Sequence, residues 1–229
     1  MYRERRAGRI AGAVVWASRA RAGAPPTRVL PDGCLDLIWS SRSGLLVAGP
    51  DRTAHLSRSV AGERWLGLRL PPGTGPAVLG VPADVLRDRR VPLDALWGRA
   101  ADEIAERLGD RPSAAALESV AVDRLVAAGG PDPLGARIAA SLAAGASVAA
   151  TAAEVGLGPR ALHRRSQALF GYGPKTLARI LRMRRALALA RTGVGWAEVA
   201  ARGGYADQAH LTRDVRELAG VPPTRLLPG

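Results

Sequence analysis

The 229-residue chain lacks several residue patterns on which whole protein classes depend. Cys34 is its one cysteine, which excludes an intramolecular disulfide and a cysteine-cluster metal site and favours a reducing, cytoplasmic setting. No apolar run approaches the roughly 20 residues of a transmembrane helix, so we expect no membrane partner. The apolar stretch 10–17 is too short for a secretory signal, and Arg19 and Arg21 follow it directly, so we predict a buried strand there instead.

Patterns typical of catalysis are equally scarce. The sequence has no recognisable Ser/His/Asp set, no paired carboxylates and no complete glycine-rich phosphate loop, because Gly73-Thr74-Gly75 lacks the rest of that pattern. Isolated histidines and scattered carboxylates are too few for a metal site. We therefore predict that the chain is not an enzyme and that it has no catalytic residue, no metal site and no cofactor.

Positive charge is what the chain has in excess: its formal net charge is +13 and its pI is near 11.5. An Arg-rich composition can simply reflect a GC-rich genome, and Lys175 as the one lysine supports that explanation. The distribution is more informative, because residues 160–191 contain nine Arg and Lys residues and no acidic residue. Such a local excess favours a polyanionic partner whose phosphates it can neutralise.

Residues 1–82 are predicted to form a β-rich domain. Short apolar or alternating runs typical of strands are separated by Pro, Gly, Asp and Ser residues that favour turns. The predicted strands lie at 14–16, 28–30, 34–39, 45–47 and 65–70. A small sheet folded into a sandwich or an open barrel accounts for this pattern.

Helical periodicity replaces the strand pattern after residue 82, and we assign residues 83–130 to a helical connector or dimerisation segment. The predicted helices lie at 83–86, 93–97, 101–108 and 113–127, the last with Ser113 as its N-cap. An apolar stripe on that last helix, formed by Leu117, Val120, Ala121 and Leu125, packs either on the β-rich domain or on a second subunit. A Gly- and Pro-rich linker at 129–133 ends the segment, and residues 131–229 form the third predicted domain.

One pattern occurs twice in the third domain: a short apolar helix, a glycine-rich turn, and a second helix with one apolar and one polar face. Pro159 is placed to begin the second helix of the first copy, and Asp207 is placed to cap that of the second copy. A shift of 49 positions superimposes the copies, with Leu162 on Leu211. A basic, outward-facing second helix is the geometry that enters the major groove of DNA, so we predict two helix-turn-helix units.

A long helix predicted at 174–192 joins the two units. Its apolar stripe packs, while its arginines lie off that stripe. A rigid connector would set the two recognition helices about one DNA turn, roughly 34 Å, apart on one face of the duplex. One chain could then bind an asymmetric site on double-stranded DNA.

Specific motifs accompany this arrangement. The second copy contains GYADQAHL at 204–211 and GVPP at 220–223, and the first runs from FGYGPK at 170–175 into RMRRA at 182–186. These motifs resemble the C-terminal signature of the AraC/XylS family of bacterial transcription regulators, over about the last hundred residues. Leu211 and Val215 stand where family members often carry Phe, which keeps both positions apolar. The run VLPDGCLDLIW at 29–39 resembles the N-terminal domain of an AraC-like subset.

The resemblance implies an α+β chain with a small N-terminal β-rich domain, cupin-like or an open barrel, a helical connector, and a C-terminal all-α domain with two helix-turn-helix motifs joined by a long helix. It implies a cytoplasmic, sequence-specific transcription regulator controlled by a small-molecule effector at the N-terminal domain. The expected partners are double-stranded DNA, the effector, a second copy of the chain in a homodimer and, for an activator, RNA polymerase. The alternatives are a non-specific architectural DNA binder and an enzyme-like N-terminal domain fused to a DNA-binding tail.

The resemblance also assigns roles on the two recognition helices. The candidate base-reading residues are Arg160, His163, Arg164, Gln167, Gln208, Thr212 and Arg213. The expected phosphate contacts are Arg165 and Arg216. An arginine that pairs with guanine O6 and N7 provides about 1–3 kcal/mol of discrimination, whereas the alternative is a solvated basic face. Because Ala209 offers only a methyl group, the second unit is expected to discriminate less than the first.

An effector would bind through polar and aromatic residues of the β-rich domain. The candidate ligand residues are Trp16, Cys34, Asp36, Trp39 and Arg69. For the tryptophans, including Trp65 and Trp97, core packing is favoured over lining a pocket. Cys34 lies in an apolar run and is expected to be a small core residue rather than a thiol sensor or a methyl acceptor, since acceptors of that kind in related regulators carry a four-cysteine zinc site.

Overall fold

The computed structural model describes residues 2–227, and within this range it contains eight strands and eleven helices. The strands are β1 (Tyr2–Arg6), β2 (Val14–Arg19), β3 (Thr27–Val29), β4 (Leu35–Ser40), β5 (Gly44–Ala48), β6 (His55–Ser57), β7 (Arg64–Leu70) and β8 (Arg90–Pro92). The helices are α1 (Gly75–Leu79), α2 (Asp94–Trp97), α3 (Arg99–Leu108), α4 (Ala114–Ala127), α5 (Pro133–Ala143), α6 (Val148–Glu154), α7 (Pro159–Phe170), α8 (Pro174–Ala190), α9 (Trp196–Gly203), α10 (Gln208–Ala219) and α11 (Pro223–Leu226). A 3₁₀ turn spans Ala83–Leu86. The predicted α+β class is confirmed.

Six strands form one antiparallel sheet in the order β1-β2-β7-β4-β5-β8. The two remaining strands, β3 and β6, pair with each other as a separate antiparallel ribbon, called the β3–β6 ribbon below. The strands predicted at β2, β3, β4, β5 and β7 are confirmed. Strands β1, β6 and β8 and helix α1 have no counterpart in the sequence prediction.

Alternation along β4 gives the sheet two different faces. Leu35 and Leu37 are buried in the N-terminal core, while Asp36 points to the opposite face. Helices α1 and α4 cover the apolar face, and the stripe of α4 lies in this core with Leu117 and Ala121 fully buried. Of the two alternatives for this stripe, packing on the β-rich domain or on a second subunit, the structure shows the first.

Helix α8 is the centre of the C-terminal half. Its apolar side chains, spaced three or four residues apart, are buried in a second core to which helices α5 to α10 all contribute. Those buried side chains are Leu177, Ile180, Met183 and Leu187. The predicted long connecting helix is therefore confirmed, and the two helix-turn-helix units, α6–α7 and α9–α10, pack against it.

The two halves of the chain touch at the carboxyl ends of both recognition helices. Arg87 Nη1 donates to Gly171 O at 2.9 Å, just beyond α7. The β3–β6 ribbon and the turn before β6 bind the last turn of α10, where Arg28 Nη1 donates to Ala219 O at 2.8 Å and the Ala54 amide donates to Leu218 O at 2.7 Å. The N-terminal half is therefore in direct contact with both helices on which DNA recognition is predicted.

Candidate nucleic-acid interface and cavity

Helix α7 forms where it was predicted, because its ends and its faces are encoded locally. Pro159 occupies the first turn, where its missing N–H costs no hydrogen bond, and Gly171 ends the helix with a left-handed φ of 82°. Leu162 and Phe170 are fully buried, so the packing face is fixed. The opposite face is directed to solvent.

Two of the predicted base-reading residues of α7 have side chains that are exposed to solvent. Arg160 and Arg164 are exposed, and neither side chain has a hydrogen-bond or ion-pair partner among the described residues. His163 is exposed too, but its ring lies against the backbone at the start of α8, since a Cβ added at Gly173 would lie 2.6 Å from His163 Cε1. Gln167 is half-buried farther along the helix.

Arg165 has an intramolecular partner that the sequence did not reveal. Its guanidinium forms an ion pair with Asp132, the N-cap of α5, which also accepts from the Leu134 amide at 2.8 Å. The pair links α7 to the first helix of the C-terminal half. The phosphate contact predicted for Arg165 stays a prediction, and a phosphate would have to share the guanidinium with Asp132.

Helix α10, like α7, has one buried apolar face and one polar face directed to solvent. The predicted cap is confirmed, because Asp207 Oδ1 accepts from the His210 amide at 2.6 Å. His210 has the predicted structural role: Nδ1 accepts from the Ala206 amide at 3.2 Å and the ring meets Tyr205 edge-on at 5.2 Å. The Thr212 hydroxyl donates back to Gln208 O at 2.8 Å, which engages it within the helix.

The other predicted contacts of α10 are presented to solvent. Gln208, Arg213 and Arg216 are exposed, and neither arginine side chain has a partner among the residues that the structure describes. Arg213 also lines a groove between α8 and α10 together with Lys175. The outward face of α10 therefore carries two cations without a partner in the described part of the chain, as that of α7 does.

A buried carboxylate links the second helix-turn-helix unit to α8. Asp214 is 5% exposed, and it pairs with Arg179 at 2.7 Å and Arg182 at 2.9 Å, while Arg179 also pairs with Glu217. Arg185 Nη2 donates to Gly203 O at 3.1 Å. Sequence reasoning missed this network, although a signal existed: Asp214 lies between Leu211 and Val215 on the packing face of α10, and a buried carboxylate requires a cationic partner.

A cavity of about 450 Å³ lies on the other face of the N-terminal sheet, beneath the β3–β6 ribbon. Trp16, Asp36 and Arg69 project into it from adjacent strands, and Val29 and His55 of the ribbon line the facing wall. Trp16 can lie flat on the sheet because the neighbouring strand has Gly67 opposite it, where any Cβ would overlap the indole. The volume is in the range of small-molecule sites.

Two clusters of charge line this cavity. Arg69 Nε lies 3.2 Å from Asp32 Oδ2 and 3.5 Å from Asp36 Oδ1, and Trp16 Nε1 donates to Asp36 Oδ1 at 2.7 Å. Burial raises the pKa of Asp36, against the opposing effect of Arg69. In the second cluster, both terminal nitrogens of Arg90 donate to the carboxylate oxygens of Asp51 at 2.6 Å.

The structure brings four of the five candidate ligand residues to the cavity. Trp16, Cys34, Asp36 and Arg69 line it, but Trp39 does not, because alternation along β4 places its ring on the core face. The expectation that Cys34 is purely a core residue needs correction, since the residue lines the cavity and is half-buried. Burial, reinforced by Asp32 and Asp36, nevertheless raises the pKa of its thiol well above the ordinary value, which disfavours the reactive thiolate.

Several cavity residues were not foreseen from the sequence. Tyr2, Asp51 and Arg90 line the cavity without having been candidates, and Trp16 and Trp65 line it although core packing was favoured for both. Tyr2, His55 and Arg90 lie on the three strands that the sequence pattern did not predict. Within residues 2–227, no cluster of His, Cys, Asp and Glu could hold a metal ion, and no helix is both long and apolar enough to span a membrane.

Comparison with known structures gives weak similarity, over nearly the whole chain for one protein and over less than half of it for another. ToxT from Vibrio cholerae aligns with a TM-score of 0.50 at 9% identity, covering 99% of this chain and 96% of ToxT, which shows a common fold. An unsaturated-fatty-acid-bound ToxT gives 0.49 at 11% identity, covering 99% and 94%. A probable AraC family transcriptional regulator from Rhodopseudomonas palustris gives 0.37 at 21% identity, covering 42% of this chain and 95% of that one. A search of curated proteins found no match.

Comparison with protein families is more specific. A helix-turn-helix domain family matches residues 151–228, which include both recognition helices. A domain of unknown function, DUF6597, matches residues 13–92, which include the strands from β2 to β8. The resemblance inferred from the sequence motifs is thereby confirmed, and it supports a DNA-binding transcription regulator. The chain thus combines an N-terminal DUF6597 domain with a C-terminal helix-turn-helix domain of the AraC type.

Proposed function

We propose that the chain is a sequence-specific transcription regulator whose helices α7 and α10 enter successive major grooves of double-stranded DNA. The supporting observation is how the arginines of the C-terminal half are used. Those at helix contacts, such as Arg179 and Arg182, are neutralised by Asp214, whereas Arg160 and Arg164 on the outward face of α7 have no partner within residues 2–227. Unpaired guanidinium groups on a recognition helix suit both phosphates and guanine edges.

The spacing of the two units is consistent with this proposal. Helix α8 spans 17 residues, and a rise of about 1.5 Å per residue makes it a connector of about 25 Å. Two recognition helices packed beside a rigid connector of this length fit major grooves about 34 Å apart. Such a regulator acts in the cytoplasm; contacts with RNA polymerase and a second copy of the chain belong to the same proposal.

The cavity is the proposed effector site, and the β3–β6 ribbon is its link to DNA binding. Val29 and His55 of the ribbon line the cavity, while Arg28, beside Val29, donates to the last turn of α10. A ligand that moves the ribbon therefore changes the support of the second recognition helix. The contact of Ala54 with Leu218 O acts on the same turn.

DNA recognition is tested by selecting preferred sequences from a random DNA pool with the purified chain, then measuring affinity by fluorescence anisotropy. Arg160→Ala and Arg164→Ala should each reduce discrimination between the selected and a scrambled site by roughly tenfold, the equivalent of one lost guanine contact. Arg99→Ala is the matched control, since the Arg99 side chain is 91% exposed and forms an ion pair with Glu103 in α3, away from both recognition helices. Affinity should fall steeply with salt.

Two results would contradict this assignment. A pool without any enriched sequence would favour the non-specific architectural alternative. Unchanged discrimination in both α7 variants would show that the bases are contacted by another face.

The ribbon link is tested by hydrogen exchange. Arg28→Ala should speed amide exchange in the last turn of α10, because the Ala219 carbonyl loses its donor. Arg21→Ala is the control, since Arg21 is exposed in the turn before the ribbon. Equal protection in both variants would refute the link.

A further inference from the structure

The part of the cavity around Arg69 holds more negative than positive groups. Asp32 and Asp36 face a single cation, Arg69, which lies between them. Arg90 is fully engaged by both oxygens of Asp51 and so offers no neutralisation to the other pair. Among the described residues, two carboxylates therefore share one cation in this part of the cavity, and the burial that raises the pKa of Asp36 makes its negative charge unfavourable unless a further cation pairs with it.

Other cavity groups do not supply that missing cation. Partial burial, together with the nearby Arg90, lowers the pKa of His55, so its ring is neutral at pH 7. Arg58 also lines the cavity but is exposed, where water screens its charge. An anionic ligand would have to approach Arg69 past two carboxylates that already occupy it.

The aromatic and apolar walls of the cavity independently favour a ligand that combines a cation with an apolar body. Trp16 stacks on Tyr2 with ring centroids 6.2 Å apart, and Trp65 lines the same cavity. The faces of such rings attract cations as well as apolar groups. Ile38 and Leu46 provide apolar surface beside them.

We propose that this cavity binds a small organic cation, an ammonium group joined to an aromatic or apolar body, with the ammonium against Asp32 and Asp36 and the body beside Trp16 and Trp65. The inference rests on the proposed function only in taking this cavity as the effector site. The carboxylates supply charge and hydrogen-bond acceptors, and the indole rings supply contact area. A volume of about 450 Å³ admits a ligand with a single ring system and a short chain.

The test compares three probes of nearly equal shape on the full chain: phenethylamine, 2-phenylethanol and 3-phenylpropionate. Titration calorimetry and thermal unfolding should show binding and stabilisation by phenethylamine, with the alcohol and the carboxylate at least about tenfold weaker. Asp36→Asn keeps an acceptor for Trp16 Nε1 but removes the charge, and should weaken phenethylamine by about tenfold or more. Asp32→Asn should do the same, and Asp84→Asn, on an exposed turn away from the cavity, should not.

Several outcomes would overturn the proposal. Stronger or equal binding of the alcohol would indicate a neutral ligand, and preference for the carboxylate would indicate an anion site at Arg69. Unchanged affinity in both Asp variants, or no binding of any probe up to about 10 mM, would also refute it. Anisotropy on the selected DNA without any probe reports separately on the proposed function, so failure of either proposal is distinguishable from failure of the other.

Discussion

Replacing Asp214 with Asn tests how much the buried ion pairs between α8 and α10 contribute to the free energy of unfolding. The Asp214 side chain is 4% exposed and is paired with Arg179 and Arg182, whose side chains are 34% and 26% exposed. Breaking a buried ion pair costs about 3–5 kcal/mol. Because both arginines can regain some hydration and Asn keeps one acceptor, we expect a loss of about 2 kcal/mol in the free energy of unfolding.

The matched control is Glu217→Gln. Glu217 pairs with the same Arg179, but its side chain is 67% exposed, so its loss should cost less than about 0.5 kcal/mol. For a chain of this size, the Asp214 change should lower Tm by about 4–8 °C, and the Glu217 change should lower it by about 1–2 °C at most. Thermal unfolding followed by far-UV circular dichroism measures both. Equal losses in the two variants, or no loss for Asp214→Asn, would refute the assignment of Asp214 as the buried link between α8 and α10.

Two further predictions concern the cavity. Gly67→Ala should destabilise the N-terminal half by about 1–3 kcal/mol and shift tryptophan emission, because the new methyl group overlaps the Trp16 indole. Gly8→Ala is the control and should do neither, because its methyl group would meet no atom within 4 Å. A larger effect of Gly8→Ala than of Gly67→Ala would contradict the packing described for Trp16. Cys34 should be alkylated by iodoacetamide at least about tenfold more slowly than glutathione at pH 8, because its raised pKa leaves little thiolate. Mass spectrometry measures the rate, and alkylation as fast as that of glutathione would restore the thiol-sensor hypothesis.

The helix-turn-helix half could be predicted from the sequence because its determinants are local. The spacing of Leu162 and Phe170, the position of Pro159 and the cap at Asp207 act within one helix or one turn. The partner of each arginine could not be predicted from local sequence patterns. Arg165 meets Asp132 across 33 positions and Arg182 meets Asp214 across 32, and such pairs depend on tertiary packing.

The N-terminal half was predicted less completely for a related reason. Strand β1 reads Tyr-Arg-Glu-Arg-Arg and is exposed throughout, so it shows no apolar alternation; it forms because β2 offers a pairing edge. Strands β6 and β8 are three residues each, too short for a periodic signal. The cavity residues on these strands, among them His55 and Arg90, therefore came together only through long-range pairing.

Both helix-turn-helix units are expected to bind one DNA site at the same time. Hydroxyl-radical footprinting of the purified chain on its selected sequence measures this. Two protected patches about 10 base pairs apart on one face of the duplex are predicted, with Arg164→Ala weakening the patch under α7 and Arg213→Ala the patch under α10. A single patch, or uniform protection without a boundary, would contradict the account.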